Sequence, residues 1–154
     1  MNEAEIRQVV QRAIDALRAE RPPLDFHIVH ERSTAHRLAL HLEPHFEGWN
    51  LDCEYDRFGR LQKLLDGIRA CDTRRTTDRI LPDIIVHHRE QQGTEHNLLV
   101  VEIKKSAERD DCDFEKLRLM TDPHGEFRYQ FGLYINLNRG HFDCTWFKDG
   151  AAVA

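Results

Sequence analysis

The amino-acid sequence predicts one α/β domain of the α+β kind, spanning 1–154, in the order helix, helix, strand, strand, strand, helix, strand, strand. Three observations carry this reading. The chain opens on an apolar stripe of helical period, its middle holds two apolar runs on either side of a polar stretch, and its end holds two β-rich runs meeting at Arg139-Gly140.

Ile6, Val9, Val10, Ala13, Ile14 and Leu17 recur at three- and four-residue spacing, which puts them on one side of a first helix. Pro22 and Pro23 end it near Arg21, so 1–22 form an additional N-terminal helix ahead of the core at 31–147. Ala35, Leu38, Ala39 and Leu42 set a second helix over 31–43, closed by Pro44. Trp49, Leu51, Cys53 and Tyr55 alternate with polar residues, the period of a half-buried strand. The polar span 56–78 reads as a loop with a helical turn or two around Leu61, Leu64, Leu65 and Ile68. The runs ILPDIIVHH and NLLVVEIKKS flank REQQGTEH and read as a hairpin. Phe114, Leu117, Leu119 and Met120 indicate a short helix that stops before Pro123, and FRYQFGLYINLN with HFDCTWF form a second hairpin. The last residues, 150–154, are expected to fray.

With 40% hydrophobic and 32% charged residues the composition excludes a largely disordered chain. A net charge of −5 and pI near 6.0 give no support to whole-protein attraction to nucleic acid, so any such binding must come from a local patch. Cys53, Cys71, Cys112 and Cys144 form no C-x-x-C pair and are expected as free thiols in a reducing cytoplasm. No run approaches the roughly 18 apolar residues of a membrane span, and the N-terminus has no basic and apolar secretory pattern. A cytoplasmic protein with no membrane association is expected.

Asp83, Glu102 and Lys104 are the candidate site. They place three ionisable side chains inside strands that otherwise read as buried sheet, where an unpartnered charge costs several kcal/mol. A hairpin turn centred between Gln92 and Gly93 opposes Asp83 to Glu102, Ile85 to Val100 and His87 to Leu98. That register puts Asp83, Ile85, Leu98, Val100, Glu102 and Lys104 on one face, and a one-residue slip would separate them. Two neighbouring carboxylates invite a hard cation such as Mg²⁺ or Mn²⁺. A lysine two residues on, about 7 Å along the strand, is placed to stabilise charge on a phosphoryl oxygen.

Pro82-Asp83, followed after a hairpin by Glu102-Ile103-Lys104, resembles the signature of the PD-(D/E)XK, or restriction-endonuclease-like, nuclease superfamily. The resemblance covers about 31–147 and implies an αβββαβ core with a central mixed β-sheet flanked by helices. It implies that Asp83, Glu102 and the main-chain carbonyl of Ile103 ligate divalent metal, with Lys104 beside the scissile phosphate. It further implies a carboxylate from the preceding helix, a catalytic and metal-holding group that would bind a second metal or position a water, for which Glu31 is the first candidate and Glu43, at the far end of that helix, the second. The implied activity is Mg²⁺- or Mn²⁺-dependent hydrolysis of nucleic acid by an endonuclease, with DNA favoured over RNA and a homodimer suited to double-strand cutting. The acidic net charge and the polar span 56–78 depart from a strong DNA binder.

The competing reading is a non-catalytic module on the same scaffold, binding nucleic acid or a protein, with the charged cluster serving structure. Lys105, Lys116 and the arginines Arg74, Arg75 and Arg79 are candidate phosphate contacts or solvated surface. His41 and His45 have helical spacing, but Pro44 interrupts it and no H-E-x-x-H pattern is present, so zinc is not expected. No Gly-rich phosphate loop, dinucleotide fingerprint or G-x-S-x-G element occurs.

Overall fold

The structure, a computed structural model, describes residues 1–55, 57–58, 61–62, 81–105, 110–138 and 140–153. Helix α1 (Glu3–Arg18) starts at a reciprocal cap. Asn2 Oδ1 accepts from Glu5 N at 3.0 Å, and Glu5 Oε2 accepts from Asn2 N at 2.7 Å. Its six-residue stripe is buried as expected. Helix α2 (Glu31–Leu42) buries Ala35, Leu38, Ala39 and Leu42, and Pro44 falls in a 3₁₀ turn, Glu43–His45, that ends it.

Six strands form one mixed sheet: β1 (Asn50–Cys53), β4 (Ile84–His87), β5 (Asn97–Lys104), β6 (Phe131–Asn138), β7 (His141–Lys148) and β8 (Ala151–Val153). They lie in the order β1-β4-β5-β6-β7-β8, and β5 and β6 run parallel while every other neighbouring pair is antiparallel. The parallel pair requires a crossover, supplied by helix α3 (Asp111–Thr121), capped by Asp110 Oδ1, which accepts from Cys112 N and Asp113 N.

The core occupies both faces of the sheet. On one, α1 and α2 pack against Ile84, Val86, Leu99, Val101, Ile103, Leu133 and Ile135; on the other, Leu117 and Met120 of α3 join Phe127 and Tyr129 over Ile85, Val100, Tyr134 and Phe147. A side chain such as Leu38 or Val100, fully buried, contributes about 1.5–3 kcal/mol.

Several expectations require correction. The 56–78 span, read as loop with helical turns, contains β2 (Arg57–Phe58) and β3 (Leu61–Gln62), paired as a short hairpin; the positions Leu64, Leu65, Ile68, Arg74, Arg75 and Arg79 lie outside the described residues. The tail expected to fray forms β8, pairing Trp146 with Val153 across a turn at Asp149 and Gly150, both left-handed (φ 51° and 73°). That dipeptide is a strong two-residue hairpin signal, because such a turn requires positive φ at both positions. Tyr55 leaves the Trp49–Leu51 face for the α3 side, since left-handed Glu54 (φ 49°) breaks the strand alternation. Cys53 and Cys144 are free, but Cys112 is disulfide-bonded, against the expectation of free thiols throughout. Among the described residues no helix is long and apolar enough to cross a membrane.

Candidate functional site

Register decides whether the three charged residues meet. Ile84 opposes Val101, Ile85 opposes Val100 and Val86 opposes Leu99, the alignment that carries Asp83 opposite Glu102. A bulge after Val86 makes His87 face Asn97 instead of Leu98. The extra residue on β5 turns Leu98 to the α1/α2 side, so it does not share the face of Glu102. The rest of the expected face holds: Ile85 and Val100 lie under α3, and Glu102 and Lys104 address α3 through their ion pairs.

Asp83 stands one residue before β4, where Pro82 has no N–H to give the ladder. Its Oδ2 accepts a hydrogen bond from Ile103 N at 2.7 Å, so the side chain continues the pairing that the backbone drops. Burial pushes its carboxyl up to about 6, against the lowering effect of that bond and of Lys116, with Asp113 and Glu31 adding to the rise.

Glu102 is buried, 3% exposed, in the middle of a strand buried along most of its length. Burial raises its pKa above the usual carboxylate range, and the nearby Asp83 and Asp113 push the same way. Lys116 Nζ approaches Oε1 to 2.8 Å, yet the angles leave Oε1 without a directed hydrogen bond. This is an ion-pair contact at an oxygen whose hydrogen-bonding capacity is unused.

Lys116, a surface candidate in the sequence, belongs to this centre. Its side chain is 5% exposed, and its Nζ also lies 3.0 Å from Asp113 Oδ1, one helical turn earlier on α3. Burial would lower its pKa, but Glu102 and Asp113 outweigh that and hold it charged. Lys104, with a third of its side chain exposed, lies 3.2 Å from Asp110 Oδ2 and 3.6 Å from Asp113 Oδ2. Burial opposes its charge as well, and Asp113 and Asp110 again prevail. Asp113 therefore bridges the two lysines, one on each oxygen. Tyr134, the β6 neighbour of Glu102, accepts from Asp110 N at 3.1 Å through its hydroxyl, and Asn136, the β6 neighbour of Lys104, has a buried Oδ1 with no hydrogen-bond partner among the described residues.

Of the helix carboxylates, Glu31 reaches the end of β5. Its Oε1 accepts from Lys105 N at 2.8 Å, fastening the first turn of α2 to the sheet. Glu43 is exposed in the 3₁₀ turn beyond the other end of α2, about 18 Å away at 1.5 Å per residue, and is not brought to the site. Lys105 donates to the Val29 and His27 carbonyls at 2.7 and 3.2 Å, which anchors the loop ahead of α2.

Sequence reasoning singled out Asp83, Glu102 and Lys104 because charges inside apolar strands stand out. It missed Asp110, Asp113 and the role of Lys116. Their signal was faint: a helix-capping Asp followed at i+3 and i+6 by Asp and Lys reads like any charged helix start. Among the described residues no group of three or more His, Cys, Asp or Glu side chains is disposed to hold a metal ion. The donors on hand are the Asp83 and Glu102 carboxylates, hard oxygens suited to Mg²⁺ or Mn²⁺. The unused buried Oε1 of Glu102 fits such an ion, and the lysine at its shoulder competes with one. No protein-family model matches the chain, and no curated protein was found to match it.

Proposed function

We propose that this chain is a divalent-metal-dependent phosphodiesterase acting on nucleic acid, an endonuclease of the PD-(D/E)XK, restriction-endonuclease-like type. The observation that carries the reading is the facing of half-buried Asp83 and buried Glu102 across the β4–β5 hairpin, both raised in pKa, with Lys104 two residues on at the rim of the same face. Two desolvated carboxylates this close are a poor way to stabilise a sheet and a good way to hold a cation.

Asp83, Glu102 and the Ile103 carbonyl would hold Mg²⁺ or Mn²⁺, which when bound supplies a Lewis acid and a water of lowered pKa. Lys104 contributes a fixed positive charge. Asp110 and Asp113 keep it protonated while a third of its surface stays open to solvent, where a phosphate can approach. Glu31 fastens α2 to the end of β5 through Lys105 N. Asp83→Ala and Lys104→Ala are each expected to abolish metal-dependent cleavage of DNA or RNA while preserving circular dichroism; cleavage persisting in both variants sinks the proposal.

A second reading is favoured by one observation, the Lys116 contact on Glu102. A protein cation at that oxygen is what a non-catalytic module that binds nucleic acid or a protein would retain. Calorimetric titration with Mg²⁺ and Mn²⁺ separates the two: binding by the wild type and not by Asp83→Ala supports the enzyme, and no binding with or without nucleic acid supports the module.

A further inference from the structure

A lysine among the apolar residues of α3 is an unusual choice. Leu117 and Met120, on the same helix, are fully buried and serve the core, and a third apolar side chain at 116 would extend that packing. Instead an ammonium is taken out of water, a transfer that excellent geometry alone can offset. The geometry at Glu102 is incomplete, for Lys116 Nζ stands 2.8 Å from Oε1 with no directed hydrogen bond there. At Asp113 Nζ to Oδ1 is 3.0 Å, and the two residues are three apart on one helix, so this second partner travels with the lysine. The ammonium thus lies between a carboxylate of its own helix and one of the sheet.

We propose that Lys116 is a built-in counter-cation which occupies the Glu102 carboxylate in the metal-free protein, that a divalent ion must displace it from Glu102, and that it thereby sets metal affinity. The inference rests on the metal reading above. A divalent ion at Oε1 and an ammonium beside it repel each other, and that repulsion is little screened in a buried site. Displacement is short and leaves the ammonium a partner, since Lys116 keeps Asp113 when it gives up Glu102. Asp113 is the retaining group, and its other oxygen faces Lys104 at 3.6 Å, so the exchange at Glu102 is felt by the lysine nearest solvent. Lys116 is a positioning residue in this scheme and does not touch substrate.

The test is Mn²⁺ binding to the full chain, stripped with EDTA and followed by calorimetry, with circular dichroism and thermal melts as controls. Lys116→Met keeps the length and removes the charge. It is expected to bind Mn²⁺ roughly tenfold tighter than wild type or more, the scale of removing one unit charge a few ångströms away. Asp113→Asn leaves the displaced ammonium without its carboxylate and is expected to bind several-fold more weakly. A Lys116→Met variant that binds no more tightly than wild type overturns the proposal, and if wild type binds Mn²⁺ the metal reading survives that result. Should Lys116→Met fail to fold, Asp113→Asn decides alone, and affinity equal to or tighter than wild type overturns the proposal. Binding by Lys116→Met but not by wild type supports it in its strongest form. Absence of Mn²⁺ binding in wild type and every folded variant, with or without nucleic acid, overturns both this inference and the metal reading.

Discussion

Replacing Asp83 by Asn should make the metal-free protein more stable near neutral pH and leave it unchanged in acid. Asparagine is nearly isosteric and keeps an oxygen to accept the Ile103 N–H, so the hairpin bond at 2.7 Å survives in neutral form. What the substitution removes is the charge. Burial raises the Asp83 pKa from 3.8 to about 6, so the folded state disfavours the carboxylate. For a raised carboxylate the associated stability is complete below the unfolded pKa, declines as pH rises through the folded value, and stays lost above it. The window is therefore about pH 4 to 6. A shift of some two units corresponds to roughly 3 kcal/mol. Allowing for solvent at a partly exposed group, a gain of about 1–2 kcal/mol for Asp83→Asn is the reasonable scale. In a chain of 154 residues that is about 3–6 °C in melting temperature. The assay is differential scanning calorimetry in EDTA at about pH 7.5 and about pH 4. Stabilisation at the higher pH alone is expected. A lower melting temperature at neutral pH, or the same increment at both, would refute the view that Asp83 is a strained carboxylate kept for binding.

Other parts of the fold yield further expectations. Asp52 pairs with buried His87 at 2.9 Å and with the Arg89 guanidinium; burial raises its pKa, but Arg89 and His87 outweigh that and leave it lowered. Asp52→Asn should therefore cost about 1–2 kcal/mol at neutral pH by urea denaturation, and the difference should shrink as pH falls below the ordinary value of 3.8 and through the lowered folded value, where the wild-type carboxylate takes up a proton. Gly132 on β6 has no room for a side chain, as an added Cβ would sit 3.0 Å from both Phe147 Cβ and Thr121 Cγ2. Gly132→Ala should push α3 from the sheet and destabilise by about 1–3 kcal/mol, and an unchanged melting temperature would show that α3 gives way freely. Asn97 Nδ2 donates to the Phe127 carbonyl at 2.6 Å inside the core, and Asn97→Ala should lower stability by about 1–3 kcal/mol by stranding that carbonyl.

The fold was legible where hydrophobic period and chain punctuation agree. The stripe of α1, the Pro44 stop after α2, the β4–β5 register and the Gly140 turn are local facts, each fixed by a few residues whose spacing has one structural meaning. The misses came where one residue changes the geometry. Left-handed Glu54 turns Tyr55 to the opposite face, a bulge after Val86 turns Leu98 over, and Asp149-Gly150 starts a strand that composition alone marks as tail.

Sequence by itself determined that Asp83, Glu102 and Lys104 would be anomalous, since ionisable groups inside apolar runs require partners wherever those runs are buried. Tertiary structure alone decided who the partners are. Asp113 and Lys116 lie on a helix whose approach to β5 depends on the crossover between parallel strands, a contact between segments far apart in the chain that no local pattern encodes. Glu31, already the first candidate by position, reaches the sheet for the same reason. Both stand at ends of α2, and only the way α2 packs on the sheet brings one of them to the end of β5.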